Sequence, residues 1–158
     1  MFVQPDEKAY TLNEARAMFE HRALWLYYLA ENPANEGGDG PLHKAIRKCG
    51  LYHAAVKFGK FETIEKFNEL FTAEPVRSVF EMEVVEKTDD KLSVDFHYCP
   101  LVEAWKKVGA SDEDFAALCD IAMEGDRGII EGIGGTKFEL SKTIANGDDV
   151  CQIRISTL

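Results

Sequence analysis

Residues 93–101 read SVDFHYCPL, with a histidine two positions before a cysteine and a proline directly after it. In strand conformation alternate side chains point to opposite faces, so Leu92, Val94, Phe96 and Tyr98 share one face and Ser93, Asp95, His97 and Cys99 the other. That second face is polar and reactive. A thiol at a helix N-terminus ionises more readily, and a helix is expected to open near Leu101, just beyond Cys99. His97 is of the type that acts as a base or as an orienting group for such a thiol. The plain alternative is a small residue packed at a strand end.

Two more thiols join the candidates. Cys119 falls on the apolar stripe of an expected helix, and Cys151 alternates with Ile153 and Ile155, so both lean inward. With His97 they and Cys99 form a set that suits a soft metal, zinc being one reading, although their spacing matches no zinc ribbon or finger. Acidic groups gather near turns in EGDRG and NGDDVC, which puts Asp126 and Asp148 at the rim of a pocket; helix-end and turn chemistry is the competing explanation. GIGG lacks the Lys-Ser/Thr of a P-loop and the strand-glycine-helix setting of a dinucleotide site. His43 and His53 are too far apart to clamp a metal on adjacent turns, and His21 sits among charged residues.

The elements that must position these residues are legible as an α+β outline: a helical N-terminal half, then a small antiparallel sheet with packed helices, in a single domain spanning 1–158. Thr11 and Glu14 form a capping box for a helix over 11–31. NPANEGGDGP breaks the chain, and Pro41 opens a second helix reaching to about 58. A third covers 61–72. VRSVFEMEVVEK reads as a strand, TDD as a turn and KLSVDFHYC as the return strand, which Pro100 ends. A short helix over 101–108 follows. Ser111 and Asp114 then cap a long one that stops at Gly134-Gly135. Strands over 137–140 and 150–155 finish the chain around a tight turn at Asn146-Gly147.

With 158 residues, the chain can bury a core without disulfides. Eighteen basic against twenty-eight acidic residues leave a formal charge of −10, which disfavours nucleic acid and anionic membrane, and no Lys/Arg-rich run is read as reversing it. The start, MFVQPDEKAY, is polar and acidic where a secretory signal would be basic and then apolar, and ALWLYYLAE is too short to span a bilayer. Four cysteines without a C-x-x-C pair read as reduced thiols of a cytoplasmic protein.

HYCPLVEAWKKVGASDEDFAALCDIAMEGDRGIIEGIGGTKFELSKTIANGDDVCQIRI resembles the L-2-amino-thiazoline-4-carboxylic acid hydrolase family, from His97 to about Ile155. The resemblance is carried by Cys99-Pro100, by Cys119 within LCDIAMEGD and by KTIANGDDVC ending in Cys151. It implies water addition at the ring carbon between sulfur and nitrogen, opening a cyclic amidine to a carbamoyl-cysteine on a bacterial route to cysteine. The family is also similar in outline to small-molecule-binding vinyl-reductase-like domains. On this reading Cys99 attacks, or three thiolates hold a zinc that activates water, while Asp126 or Asp148 moves protons. Replacement of Cys99 by Ser then abolishes hydrolysis. A non-catalytic small-molecule-binding domain is the alternative, with Trp25, Tyr27, Tyr28, Phe96 and Trp105 lining its cavity. A partner-binding protein using ALWLYYL as the face of a homo-oligomer is the third.

Overall fold

The computed structural model describes residues 10–33 and 37–158. The expectation of no signal segment falls on residues 1–9, outside the described residues.

Helix α1 runs Leu12–Leu29 and starts as its sequence dictates: the Glu14 amide donates to the Thr11 hydroxyl, and the Glu14 carboxylate accepts from the Thr11 amide. Its inner side is made of small residues and one leucine, Ala15, Ala23 and Leu26, with Ala30 just past its end. Helix α2, Pro41–His53, opens on proline and passes into a π-helical turn at Ala54–Phe58 rather than running as regular helix to 58. Helix α3 follows at Ile64–Phe71, capped by Thr63.

The first strand differs from expectation. Val76–Phe80 forms a short helix, α4, and only Met82–Lys87 is strand, β1. The Glu74 carboxylate accepts from the Ser78 amide and Glu81 closes the turn in a left-handed conformation, so local capping outweighs the strand propensity of two valines and a phenylalanine. The return strand β2, Lys91–Phe96, stops three residues short of Cys99. Helices α5, Pro100–Lys107, and α6, Asp112–Ile133, come next, then β3, Thr136–Leu140, and β4, Cys151–Thr157. Between β3 and β4 the chain makes a 3₁₀ turn at Ile144–Asn146 closed by Gly147, so Asn146-Gly147 ends a longer connection instead of making a two-residue hairpin.

The architecture is α+β, with an antiparallel four-stranded sheet of order β1-β2-β4-β3. In antiparallel pairing, partners share a face, and Leu92, Val94 and Phe96 stand opposite Ile155, Ile153 and Cys151. This apolar face packs on Ile64 and Phe67 of α3 and Ile130 and Ile133 of α6. A second core joins α1, α5 and the N-terminal half of α6 through Leu26, Trp105, Leu118 and Ile121. Phe80 and Ile144 touch both.

Two contacts fix the helices. The Trp105 indole donates to the Ala23 carbonyl at 2.9 Å, which pins α5 to α1. Between α2 and α6 the backbones meet directly: a Cβ at Gly50 would run into the Gly125 carbonyl, and one at Gly128 into that of Arg47.

Candidate functional site

The polar strand face proposed for chemistry does not form a pocket. His97 lies beyond the end of β2, its side chain 44% exposed, and pairs with Glu83 at 2.8 Å. Asp95 pairs with Arg154 at 2.8 Å, and the Ser93 hydroxyl donates to Glu86, all on the face turned from the apolar core. Cys99 leaves this face because the chain turns after Phe96, where alternation ceases to apply, and it becomes the N-cap residue of α5. His97 and Cys99 are therefore not neighbours in function: His97 belongs to the outer sheet, Cys99 to the interior.

Trp105 is also displaced from its expected role. It is fully buried and its one donor is committed to Ala23, which makes it core rather than cavity lining. Asp148 accepts from the Thr143 amide at 2.9 Å and so braces the turn before β4.

The remaining candidates do gather. Cys119 and Cys99 both pack against the α1–α5–α6 core, and Cys151 sits at the edge of the sheet core, its sulfur accepting from the Ile144 amide at 3.3 Å. Burial is the main force on all three thiols, raising each above the ordinary value, Cys151 to about 11. Cys119 feels both Cys99 and Cys151, and Cys151 feels Cys99, so the three thiols lie in one region. At Cys99 the amides of Leu101 and Val102 and the Arg22 charge oppose burial without overcoming it, and neither amide forms a cap hydrogen bond to the sulfur. The thiolate expected at a helix N-terminus is thus suppressed by desolvation.

Asp126, two turns after Cys119 on α6, points into the same region. Burial raises its carboxyl to about 6, against the pull of Arg22 and Arg127. Arg22 enters from α1. Desolvation lowers its guanidinium from the ordinary value, opposed by Asp126, Cys49 and Cys99. Yet its side chain is exposed to solvent, and Cys99, Cys119 and Asp126 each keep part of their surface open. We read groups that are largely surrounded by protein yet partly open to solvent as lining a recess. Its cause is the helix packing: α1 lies on α5 and α2 on α6, while α1 and α2 make few close approaches to each other. Arg22 on α1 lies within electrostatic reach of Cys49 on α2 and of Asp126 on α6.

Arg22 carried a signal that the sequence reading passed over, as a lone cation in the apolar series Met18, Trp25, Leu29. His43 was missed as a buried group. Its Nε2 lies 3.1 Å from Asp120, and a chain of ion pairs runs on through Arg127, Glu124 and Arg47 to Glu131. A cleft of about 430 Å³ beside this chain involves none of the thiols, and both its arginines are held by these carboxylates. Among the described residues no three His, Cys, Asp or Glu side chains are grouped to hold a metal ion, so the zinc reading finds no ligand set there.

A family model described as L-2-amino-thiazoline-4-carboxylic acid hydrolase matches residues 16–155. No curated protein matches the sequence. Among solved structures, a trafficking protein particle complex subunit 3 from Naegleria fowleri, covalently bound to palmitic acid, is similar in fold. The TM-score is 0.61 at 18% identity over 90% of this chain and 96% of that one. No helix among the described residues is long and apolar enough to cross a membrane.

Proposed function

The chain belongs to the L-2-amino-thiazoline-4-carboxylic acid hydrolase family, and we propose that it opens a small cyclic amidine bearing a carboxylate, such as 2-amino-thiazoline-4-carboxylate, in the recess between α1 and α2. One observation carries the reading: a carboxyl raised to about 6 shares a desolvated recess with an arginine that has no formed ion pair among the described residues. A general base works best when its pKa lies near the working pH, and a desolvated guanidinium suits a substrate carboxylate.

In this mechanism Arg22 holds the ring carboxylate and Asp126 faces the amidine carbon. Asp126 takes a proton from the attacking water as the new C–O bond forms, and passes it to the ring nitrogen. When the C–N bond breaks, the hydroxyl proton follows the same route. Both protons of the water end on the ring nitrogen, its oxygen becomes the carbonyl, and Asp126 is regenerated. Water is preferred over Cys99 as the nucleophile because burial keeps that thiol protonated. Cys99, Cys119 and Cys151 then wall the recess as neutral groups.

The test is hydrolysis of 2-amino-thiazoline-4-carboxylate by the wild type and by Asp126→Asn, Arg22→Met and Cys99→Ser. Asp126→Asn is expected to lower kcat by about 100-fold or more, Arg22→Met to raise KM, and Cys99→Ser to retain turnover. Wild-type rates from Asp126→Asn would end this mechanism. Loss of turnover in Cys99→Ser, with thiol alkylation by substrate, would return the attack to the cysteine.

A second reading is favoured by the neutral thiols beside Arg22 and by the fold shared with a palmitic acid-bound protein. In it the recess binds an amphiphilic carboxylate without chemistry. Binding without product release distinguishes the two.

A further inference from the structure

The ion pairs that join α2 to α6 take no part in the proposed chemistry, yet they run alongside Asp126. On α6, Asp120, Glu124, Arg127 and Glu131 follow at intervals of four, three and four residues, the spacing of one helix face. That face is turned to α2, where His43 meets Asp120 and Arg47 meets Glu124 and Glu131. Cys119 and Asp126, seven residues apart, stand on the neighbouring face. Asp126 and Arg127 are therefore adjacent in the chain but point to different sides, since consecutive helical residues are turned by about 100°.

Among the described residues, each hydrogen bond of Arg127 leads away from Asp126. One terminal nitrogen donates to the Asp120 carboxylate at 2.9 Å, the other to Glu124 at 2.7 Å and to the Asp120 carbonyl at 3.1 Å. Asp120 is held in turn from α2. Its second oxygen lies 3.1 Å from Nε2 of His43, a buried ring whose Nδ1 has no partner. The ring proton therefore sits on Nε2 and is donated to Asp120. One oxygen of this carboxylate serves α2 and the other serves Arg127. Glu124 is shared in the same way between Arg127 and Arg47.

We propose that Asp120 and Arg127 are positioning residues for Asp126: the pair keeps a cation near that carboxyl while denying it a hydrogen bond, and so sets the pH at which Asp126 takes a proton. The inference rests on Asp126 being the base of the hydrolysis proposed above. Charge fixes the sign. The groups bearing on Asp126 are Arg22 from α1, Arg127 and Cys119 from α6 itself, and Cys151 from β4. Burial keeps the two thiols neutral. On the α2 side, Arg47 is held by Glu124 and Glu131, His43 by Asp120, and Cys49 lies near Arg22. Of the two cations, Arg127 has its charge offset by Asp120 and Glu124. Without Asp120 its pull on Asp126 grows and the carboxyl becomes a weaker base; without Arg127 the carboxyl stays protonated to higher pH. Two members of one ion pair thus act on the base in opposite directions.

The experiment is carboxyl NMR of the full chain carrying isotope-labelled aspartate, followed across pH, with the Asp126 signal identified as the one absent from Asp126→Asn. The pH profile of kcat/KM towards 2-amino-thiazoline-4-carboxylate is measured beside it. The side chains of Asp120 and Arg127 are both partly open to solvent, so the substitutions leave no buried hole. Asp120→Asn keeps the shape and removes the charge; the Asp126 midpoint should fall from about 6 by about half a pH unit or more. Arg127→Gln should raise it by a similar amount, and Arg127→Lys, which keeps the charge, should bring it back towards 6. The double variant Asp120→Asn/Arg127→Gln removes one charge of each sign and should lie near the wild type. The limb of kcat/KM should move with the midpoint in every case. A midpoint unmoved by either single variant, shifts of the same sign in both, or lost turnover with an unmoved limb overturns the proposal. Midpoints that move as expected in a protein without hydrolysis support the hold of the pair on Asp126 and count against the hydrolase reading alone.

Discussion

Asp126→Asn separates the buried-carboxyl reading from a simple ion pair through stability alone. In the folded protein the carboxyl titrates at about 6 against an ordinary value of 3.8, because the protein around it displaces most of the water that would solvate its charge. The sign follows from linkage. A raised folded pKa means that the unfolded chain releases the proton first, so the contribution is fully present below pH 3.8 and is lost as pH rises towards 6. At about 1.4 kcal/mol for each tenfold, the ionised form costs the fold about 3 kcal/mol above that window. Asparagine keeps the shape without the charge, less whatever attraction Arg22 supplies. Urea unfolding of the two proteins across this range should therefore give equal stability at pH 3.5 and a variant more stable by about 2–3 kcal/mol at pH 7.5. The variant should be the less active one, as expected where a strained group serves function. A difference independent of pH, or one growing in favour of the wild type, would mean that Asp126 is a satisfied partner of Arg22 and would refute the reasoning.

Three other outcomes follow. The kcat/KM of the wild type towards 2-amino-thiazoline-4-carboxylate should rise with pH through a limb near 6, and stopped assays in overlapping buffers would show it. Gly50→Ala should lose about 3 kcal/mol or fail to fold, because the added Cβ meets backbone of α6 that has no room to retreat; thermal unfolding reads this. His97→Ala should change stability by less than about 1 kcal/mol and leave turnover alone, since its pair with Glu83 is exposed.

Much of the frame was readable where one local rule acts alone. Thr11 with Glu14 and Ser111 with Asp114 fixed both long helix starts, and Gly134-Gly135, both at positive φ, fixed the stop of α6. The misreadings share a cause. Strand alternation was carried through Cys99, although β2 ends at Phe96 and the next residues follow a turn. VRSVF has strand composition, but the Glu74 carboxylate and Glu81 curl it into α4. The Gly125, Gly128 and Gly132 series was read as helix continuing, and only the packed structure shows that Gly128 and Gly132 sit tight against the α2 segment. Cys99, Cys119 and Cys151 were singled out from their contexts; Arg22 was not, because nothing local to α1 reveals what lies opposite.

The recess itself results from two independent clamps, and this gives a last test. Trp105 ties α5 to α1 at Ala23, the residue after Arg22. The glycine contacts tie α2 to α6, which carries Asp126. The first clamp places Arg22 and the second places Cys49 against Asp126, so the width of the recess depends on both. Trp105→Phe keeps most of the buried bulk and removes the hydrogen bond, at a cost of about 1–2 kcal/mol. If α1 relaxes away, Arg22 pulls less on Asp126 and the carboxyl titrates higher still. Repeating the Asp126→Asn comparison in the Trp105→Phe background measures this as a coupling: the upper end of the pH window should move above 6 and the gain from asparagine should grow. Strict additivity at every pH, with the window unmoved, would show that Arg22 keeps its place without the tryptophan and that the wall of the recess is set by something other than this clamp.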